Sequence, residues 1–334
     1  MRIGKWGIIH WILGAVMLTG LAACSTIDED LSDCGEDFEM EYELQLITNI
    51  ETELQTELTT GREALVADAL RNHLANVFTD VARDVDLSFY ATNKDAALQY
   101  HKNDLMNDNE KSYTFSLPAQ DYRHLALANL QNNSVVSVSG GEQSYTHSLV
   151  QKQGETIESH ETGLFTARAD MEVQEDKDQT FHVDLYMANS ATALVIDNAE
   201  GVEVKEIQVY ATGFATAFNV NDSTYTYVDN PPMVHANQVD TRADGMLCFC
   251  TVNFPSRDKA VGDEPLWQYV VYVTLADGSV TQSVLNINDP LKAGDLKIVK
   301  TYLQADGSLQ PDNTLVGVSV TLDWKQGGTY EPEM

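Results

Sequence analysis

Residues 38–46 read FEMEYELQL, and every second side chain in this stretch is apolar while those between are glutamate or glutamine. Successive side chains of a β-strand point to opposite faces, so the pattern predicts a strand with one face on a core and one in water. The same alternation returns along the chain, in residues 85–89, 113–117, 181–187, 267–275, 280–287 and 316–324.

Short strands separated by turn residues are typical of antiparallel β-sandwiches. Turn pairs of this kind are Gly140-Gly141, Asp277-Gly278 and Asp306-Gly307. No helical pattern alternates with the strands, which argues against a parallel α/β sheet. The length of 334 residues predicts about two domains. We expect a β-sandwich over residues 38–162 and a second one over residues 163–334.

One segment has helical periodicity. Thr60 and Glu63 have the spacing of a capping box, and apolar side chains then recur every three to four residues. This predicts a helix near residues 61–82, inserted in the first domain and covering the edge or end of a sheet. Residues 50–58 fit a strand or a helix equally well. The apolar stripe consists of Val66, Leu70, Leu74, Val77, Phe78 and Val81.

The N-terminus has the pattern of an export signal. Arg2 and Lys5 precede an apolar run that ends in Leu21-Ala22-Ala23-Cys24, and such a run with small residues before the cut site is typical of secretion. The alternatives are a signal peptide cut elsewhere and a membrane-spanning helix. Resemblance to lipoprotein lipoboxes implies that residues 1–23 are removed and that Cys24 carries lipid. Residues 24–37 then form an acidic tether.

The chain is strongly acidic, with a formal net charge of −31 at pH 7. That charge excludes nucleic acid and anionic membrane surfaces as electrostatic partners. The acidic residues after Cys24 are similar to the surface-export signal of Bacteroidetes lipoproteins. This similarity implies an outer-membrane protein that faces the outside of the cell.

The sequence contains none of the nucleotide-binding, nucleophile or zinc-protease signature motifs of enzymes. No two of the eight histidines lie within four residues of each other, so helical metal-ligand pairs are absent. We therefore expect no enzymatic activity, no metal and no cofactor.

Three cysteines remain besides Cys24, namely Cys34, Cys248 and Cys250. In a strand, Cys248 and Cys250 share one face and Phe249 takes the other. They are either small core residues or, for one of them, the partner of Cys34 in a disulfide.

Five aromatic residues could form a sugar-stacking platform or pack in a core. Their alternation along strands favours core packing. The five residues are Tyr225, Tyr227, Trp267, Tyr269 and Tyr272.

Three stretches resemble one family. Residues 24–34, residues 183–196 and the final run 318–324 (VSVTLDW) are similar to Bacteroidales FimB-like fimbrial anchor and minor-subunit lipoproteins. The resemblance implies two Greek-key, transthyretin-like β-sandwiches and an anchor or minor subunit of a surface fimbrium at the outer membrane. It also implies that fimbrial subunits join by strand addition, in which one chain donates a strand to the sheet of another. The alternative function is a surface glycan-binding lipoprotein.

The same resemblance raises the question of proteolytic processing. Arg62 and Arg168 lie near segments expected to be loops, where a trypsin-like protease could cut. Solvated arginines with no such role are the alternative.

Overall fold

The structure is a computed structural model that describes residues 35–45, 50–78, 83–93, 95–105, 112–131, 133–141, 144–199 and 201–324. Residues from Glu36 onward form one compact unit. With 53% strand and 9% helix, the fold is mainly β, as the alternation predicts.

The first half of the unit contains two helices among the early strands. In chain order the elements are β1 (Glu36–Gln45), α1 (Ile50–Glu57), α2 (Gly61–Val77), β2 (Asp84–Ala91), β3 (Leu98–Leu105), β4 (Ser112–Leu117), β5 (Asp121–Ala128), β6 (Val136–Ser139), β7 (Ser148–Gln151), β8 (Thr156–Glu158), β9 (Phe165–Glu172) and β10 (Gln179–Met187).

The second half consists of strands alone. They are β11 (Ser190–Asp197), β12 (Val204–Thr212), β13 (Ala217–Asn219), β14 (Thr224–Thr226), β15 (Met233–His235), β16 (Asn237–Val239), β17 (Met246–Asn253), β18 (Trp267–Leu275), β19 (Val280–Ile287), β20 (Leu296–Leu303), β21 (Leu309–Pro311) and β22 (Val316–Trp324).

A seven-stranded sheet in the order β3-β2-β5-β9-β10-β1-β4 folds over on itself. Strands β9 and β10 pair at only two positions, Phe165 with Met187 and Thr166 with Tyr186. Beyond that corner the two halves of the sheet face each other. Tyr42 on β1 contacts His124 on β5 across the core, with 3.0 Å between Oη and Nε2. We call this folded sheet and its core the first sandwich.

Two further sheets form the second sandwich. One has five strands in the order β16-β17-β11-β20-β21, and the other has six in the order β22-β19-β18-β12-β15-β8. Their facing sides bury a common apolar cluster. The Tyr269 hydroxyl of β18 donates a hydrogen bond to Thr192 Oγ1 of β11 at 2.7 Å, which fixes the two sheets across that core. A four-stranded sheet, β14-β13-β7-β6, adds to the same cluster.

The helices differ in number and in extent from the prediction. There are two among the described residues rather than one, because residues 50–57 are helical, and α2 ends at Val77. The backbone N–H of Thr60 donates to the Glu63 carboxylate at 2.8 Å, as the capping box predicts. Four residues of the predicted stripe, Val66, Leu70, Leu74 and Phe78, are at most 8% exposed, and Val77 is partly buried. Val81 lies outside the described residues.

Both helices pack on the five-stranded sheet, α1 on β20 and α2 on β16 and β17. A chain segment that lies between strands of the first sandwich therefore covers the outer face of the second. The buried residues of this seam belong to the same apolar cluster as the core of the first sandwich.

Most strand pairs are antiparallel, and three are parallel: β1 with β10, β11 with β20, and β8 with β15. The division near residue 162 stays a prediction. Any such division has to account for β9 and β10, which follow that residue yet belong to the sheet that holds β1.

A candidate docking edge on the six-stranded sheet

Strand β22 lies at one edge of the six-stranded sheet. It pairs with β19 along its whole length, from Val316 opposite Ile287 to Trp324 opposite Val280. On its other side no strand of the described residues pairs with it. An edge strand of this kind presents a row of free backbone N–H and C=O groups, which can bind another strand.

The exposed valines of β22 point toward the core side of the sheet. Val316, Val318 and Val320 lie opposite Ile287, Leu285 and Ser283, and those three partners are at most 3% exposed. Val316 is buried too, but Val318 is 37% and Val320 39% exposed. The facing edge strand β21 has only three residues, which is too short to cover a nine-residue strand. Free backbone N–H and C=O groups and exposed apolar side chains therefore lie along the same edge of the sheet.

The sequence of β22, VGVSVTLDW, contains no lysine, arginine or proline and one acidic residue, Asp323. Natural edge strands are usually kept from pairing by charges, prolines or shortness. Five of the other seven described edges have such protection. Strand β3 carries His101, Lys102 and Asp104, and β8, β14, β16 and β21 have three residues each. The edge strands β4 (SYTFSL) and β6 (VSVS) also lack charges and proline, but they have only six and four residues, so β22 with nine is the longest described edge without lysine, arginine or proline.

The predicted lipid site lies outside the described residues. Cys24, the signal peptide and most of the acidic tether fall in residues 1–34, and the described part of the tether, from Gly35, runs into β1 at Glu36. In the part of the chain that the structure describes, no helix is long and apolar enough to cross a membrane.

Cys248 and Cys250 are buried free thiols. Both belong to the apolar cluster under the helices, whereas Phe249 belongs to the core of the second sandwich, which confirms the predicted division between the two faces of β17. Burial raises the pKa of Cys248 to about 12 and raises that of Cys250 well above its usual value. Reactive thiolates are therefore disfavoured at both positions. Cys34 lies outside the described residues, so the disulfide stays a prediction.

The five aromatic residues do not form an exposed platform. Trp267, Tyr269 and Tyr272 are at most 5% exposed, and Tyr272 is on the opposite face of β18 from the other two. Tyr225 and Tyr227 are partly buried, and their hydroxyls donate to the backbone carbonyls of Ala188 and Ser256. The core interpretation of the aromatic alternation is correct.

Neither arginine considered for processing lies in a loop. Arg62 is in the first turn of α2, where its guanidinium binds Asp197 at 2.9 Å. Arg168 is inside β9 and pairs with Leu125 of β5. A protease needs an extended, unpaired segment, and neither arginine lies in one.

Known proteins share this architecture. A sequence profile of the fimbrillin-A associated anchor proteins Mfa1 and Mfa2 matches residues 54–243, which is more than half of the 334 residues. No curated protein sequence matches the chain.

Several solved structures are similar, among them two candidate adhesins and one anchor protein. A candidate adhesin from Bacteroides thetaiotaomicron is 13% identical with a TM-score of 0.51, and the match covers 86% of this chain and 97% of that one. A candidate adhesin from Bacteroides ovatus is 9% identical with a TM-score of 0.50, covering 88% and 97%. The fimbrial anchor protein Mfa2 from Porphyromonas gingivalis is 10% identical with a TM-score of 0.47, covering 86% and 99%. At such identities the likeness concerns the fold alone.

The fold defines a class of mainly β proteins built from packed, sandwich-like sheets. The profile match makes the assignment specific: this chain belongs to the family of fimbrillin-A associated anchor proteins Mfa1 and Mfa2. The family is one of structural proteins of fimbriae, not of enzymes. Membership implies association with fimbrial subunits and a place at the cell surface or envelope.

Sequence reasoning identified residues 316–324 as a closing strand but missed that this strand is the exposed edge. Its alternation of valines is the same as in a buried strand. The strand also lacks the lysines and prolines that natural edge strands usually carry, so its sequence pattern did not indicate an edge.

Proposed function

We propose that this protein is an outer-membrane lipoprotein that acts as the anchor or a minor subunit of a surface fimbrium. Lipid on Cys24 fixes the chain to the membrane, and β22 accepts a strand from a neighbouring fimbrial subunit. The observation that supports this most directly is the long edge with a single charged residue and with Val318 and Val320 exposed.

Strand addition at β22 satisfies both features of the edge at once. The incoming backbone pairs with the free N–H and C=O groups, and its alternate side chains cover the two valines. Covering a valine fully contributes roughly 1.5 kcal/mol or more, and these two side chains start more than one-third exposed. The backbone pairs supply the remaining affinity, and the side-chain pattern supplies the choice of partner.

The donated strand comes from a different chain rather than from a second copy of this one. Two copies, each with a formal charge of −31, repel each other at close range. Strand β22 itself carries only one charge, so it can pair with a neutral or basic strand without like-charge contacts.

The lipid tether is proposed on the residues at the N-terminus. Leu21-Ala22-Ala23-Cys24 follows a positive start and an apolar run, and a bacterial lipoprotein cysteine carries more than one acyl chain. Two or more chains hold a protein stably on a membrane where a single chain does not.

The tether is tested with Cys24→Ala. Growth with a labelled fatty acid should label the wild type and a Cys248→Ala control but not Cys24→Ala. Fimbriae of the Cys24→Ala strain should be released into the medium, because docking survives without the lipid. Electron microscopy and the amount of fimbrial subunit in cell and medium fractions measure this. Label on Cys24→Ala, or fimbriae that stay on the cells of the Cys24→Ala strain, would contradict the tether.

The docking edge is tested with Val320→Lys, which places a charge beside the free backbone of β22. Capture of fimbrial subunits by the purified protein should be lost. The matched control is Leu105→Lys on the edge strand β3, where a similarly exposed side chain (57%) changes in the same way. Both variants should melt like the wild type, since both positions are exposed. Equal capture by the two variants would reject β22 as the docking edge.

A further inference from the structure

A groove lies on the outer face of the six-stranded sheet, on the side opposite to the core of the second sandwich. Its volume is about 440 Å³, which is within the range of small-ligand sites. The floor is made by outward-facing side chains of β15, β18 and β19, and the walls by the segments around Pro231 and Pro265.

The floor is apolar and packed. Met233, Val270 and Tyr272 are each 5–6% exposed and form a cluster of their own, separate from the two large cores. Val284 of β19 packs against them and also lines the groove. Val284 is the partly exposed member of the floor and offers aliphatic surface to a ligand, whereas the other three are covered by one another and by the groove walls.

The walls are held in place before any ligand arrives. The Thr212 hydroxyl lies 3.2 Å from the carbonyl oxygens of both Pro231 and Pro232, which fixes the proline segment to the end of β12. Gly213 has a φ of +103°, and a Cβ there would lie 2.7 Å from Trp267 Cα. Only glycine allows this close approach. A pre-formed groove loses little conformational entropy on binding.

The polar lining is acidic and amide-bearing. Asp229 and Glu264 are exposed on the rim, and Gln268 and Gln282 contribute amide groups. No lysine, arginine or histidine is among the described residues that line the groove. A ligand with positive charge would therefore meet two carboxylates and no opposing cation.

We propose that this groove binds a basic peptide segment, with the aliphatic stem of a lysine or arginine on the floor and its cationic head between Asp229 and Glu264. Long basic side chains favour such surroundings, since their stems are apolar and only their ends are charged. The net charge of −31 raises the local concentration of cationic ligands.

Two other ligand classes fit the groove less well. An anionic ligand would be repelled by the two carboxylates. A neutral sugar would need an exposed ring face, but the rings of Trp267 and Tyr272 are 1% and 5% exposed. In addition, the Trp267 indole N–H already donates to the Asp289 carbonyl at 2.9 Å.

The test uses the full chain in detergent and a fluorescent peptide with one lysine and one arginine. A second peptide, with both replaced by glutamine, is the ligand control. The basic peptide should bind, and raising the salt concentration should weaken its binding. Asp229→Asn combined with Glu264→Gln should weaken binding by about tenfold, the size expected for two exposed charge contacts.

The protein control removes the same charge elsewhere. Glu175→Gln combined with Asp176→Asn changes two exposed residues in the turn between β9 and β10, and it should leave binding unchanged. With 5-fluorotryptophan in the protein, the Trp267 ¹⁹F resonance should shift on addition of the basic peptide. Its assignment comes from its absence in Trp267→Phe.

Three results would overturn the proposal. They are equal binding of the glutamine peptide, equal loss in both double variants, and displacement of the peptide by a neutral oligosaccharide. The second would mean that net charge alone attracts the peptide. The proposed docking at β22 is independent of all three, because Val320→Lys does not alter the groove.

Discussion

The two sandwiches differ in how far their edge strands are covered by other side chains. In the first, edge strands β3 and β4 come together across the open side: Tyr100 lies 5.5 Å from Phe115 between ring centroids, and Lys102 Nζ lies 4.5 Å from the centre of the Tyr113 ring. In the second, β22 stands opposite a three-residue strand, and its valines stay exposed. The first sandwich is closed, and the second is open along one edge.

Within one chain, the covered edges of the first sandwich favour stability and the open edge of the second favours assembly. Strands β3 and β4 are both edges of the seven-stranded sheet, but their side chains contact each other, which leaves less apolar surface there for a second chain to cover. Strand β3 adds charged side chains, with Lys102 bound to Asp104 and His101 bound to Asp86, each at 3.0 Å. The open edge lacks all of these, which locates the capacity for pairing in the second sandwich.

The largest expected effect comes from breaking the seam that joins the two regions. Leu74 of α2 is 1% exposed, so Leu74→Asp places an unpaired carboxylate in an apolar contact between the helix and the five-stranded sheet. We expect a loss of about 4 kcal/mol or more in the free energy of unfolding, measured by urea denaturation. Leu65→Asp on the same helix, at a 46% exposed side chain, should change it by less than about 0.5 kcal/mol. Similar losses would show that α2 is not packed as described.

A second pair of variants compares the closed and the open region directly. Phe89 is fully buried in the first sandwich, and Phe89→Ala should cost about 3–5 kcal/mol through lost burial and a cavity. Val320→Ala at the open edge should cost less than about 1 kcal/mol, because much of that side chain is already in water. Thermal melts of both variants measure the contrast. An equally large cost at Val320 would mean that the edge is covered in solution.

The third prediction concerns pH and the core of the first sandwich. Burial lowers the pKa of His124 from 6.5 to about 4. Its Nδ1–H donates to the Ser88 carbonyl at 3.1 Å, so the unprotonated Nε2 accepts from the Tyr42 hydroxyl. The folded state therefore favours neutral His124. Its contribution is complete above pH 6.5 and is lost as the pH falls toward 4, by on the order of 3 kcal/mol.

This acid sensitivity can be assigned by substitution. His124→Gln removes the titrating group, so the melting temperature should fall less between pH 7 and pH 4 than it does in the wild type. His160, whose pKa burial lowers to about 3, is the comparison from outside the first sandwich. His160→Gln should remove a separate share of the same acid sensitivity. An unchanged pH profile in both variants would contradict the buried, neutral histidines.

Strand patterns and turns were predictable because they depend on nearby residues. The alternation from Phe38 places Met40 and Tyr42 in the core, and Asp277-Gly278 joins β18 to β19 as expected. The parallel pairing of β1 with β10 was not predictable, since periodicity gives the faces of a strand but not its neighbours.

The open edge at β22 could not be predicted from the sequence, for a related reason. Val318 and Val320 are exposed because the opposite strand, β21, is short, and that fact concerns a different segment of the chain. The groove over Met233 and Val270 likewise depends on where the segments around Pro231 and Pro265 lie. Patterns in a single sequence carry no information on how segments far apart in the chain are placed in the fold.

The position of β1 has a mechanical consequence for a chain held by its N-terminus. Strand β1 lies between two partners, with β10 along residues 38–45 and β4 along residues 36–41. A pull from the Glu36 end, directed along the strand, loads the backbone bonds on both sides together in shear, whereas an edge strand pulled sideways would unzip one bond at a time. Forced unfolding is governed by the rate of leaving the native state. Under the proposed tether at Cys24, a force along β1 would thus be shared by two neighbouring strands.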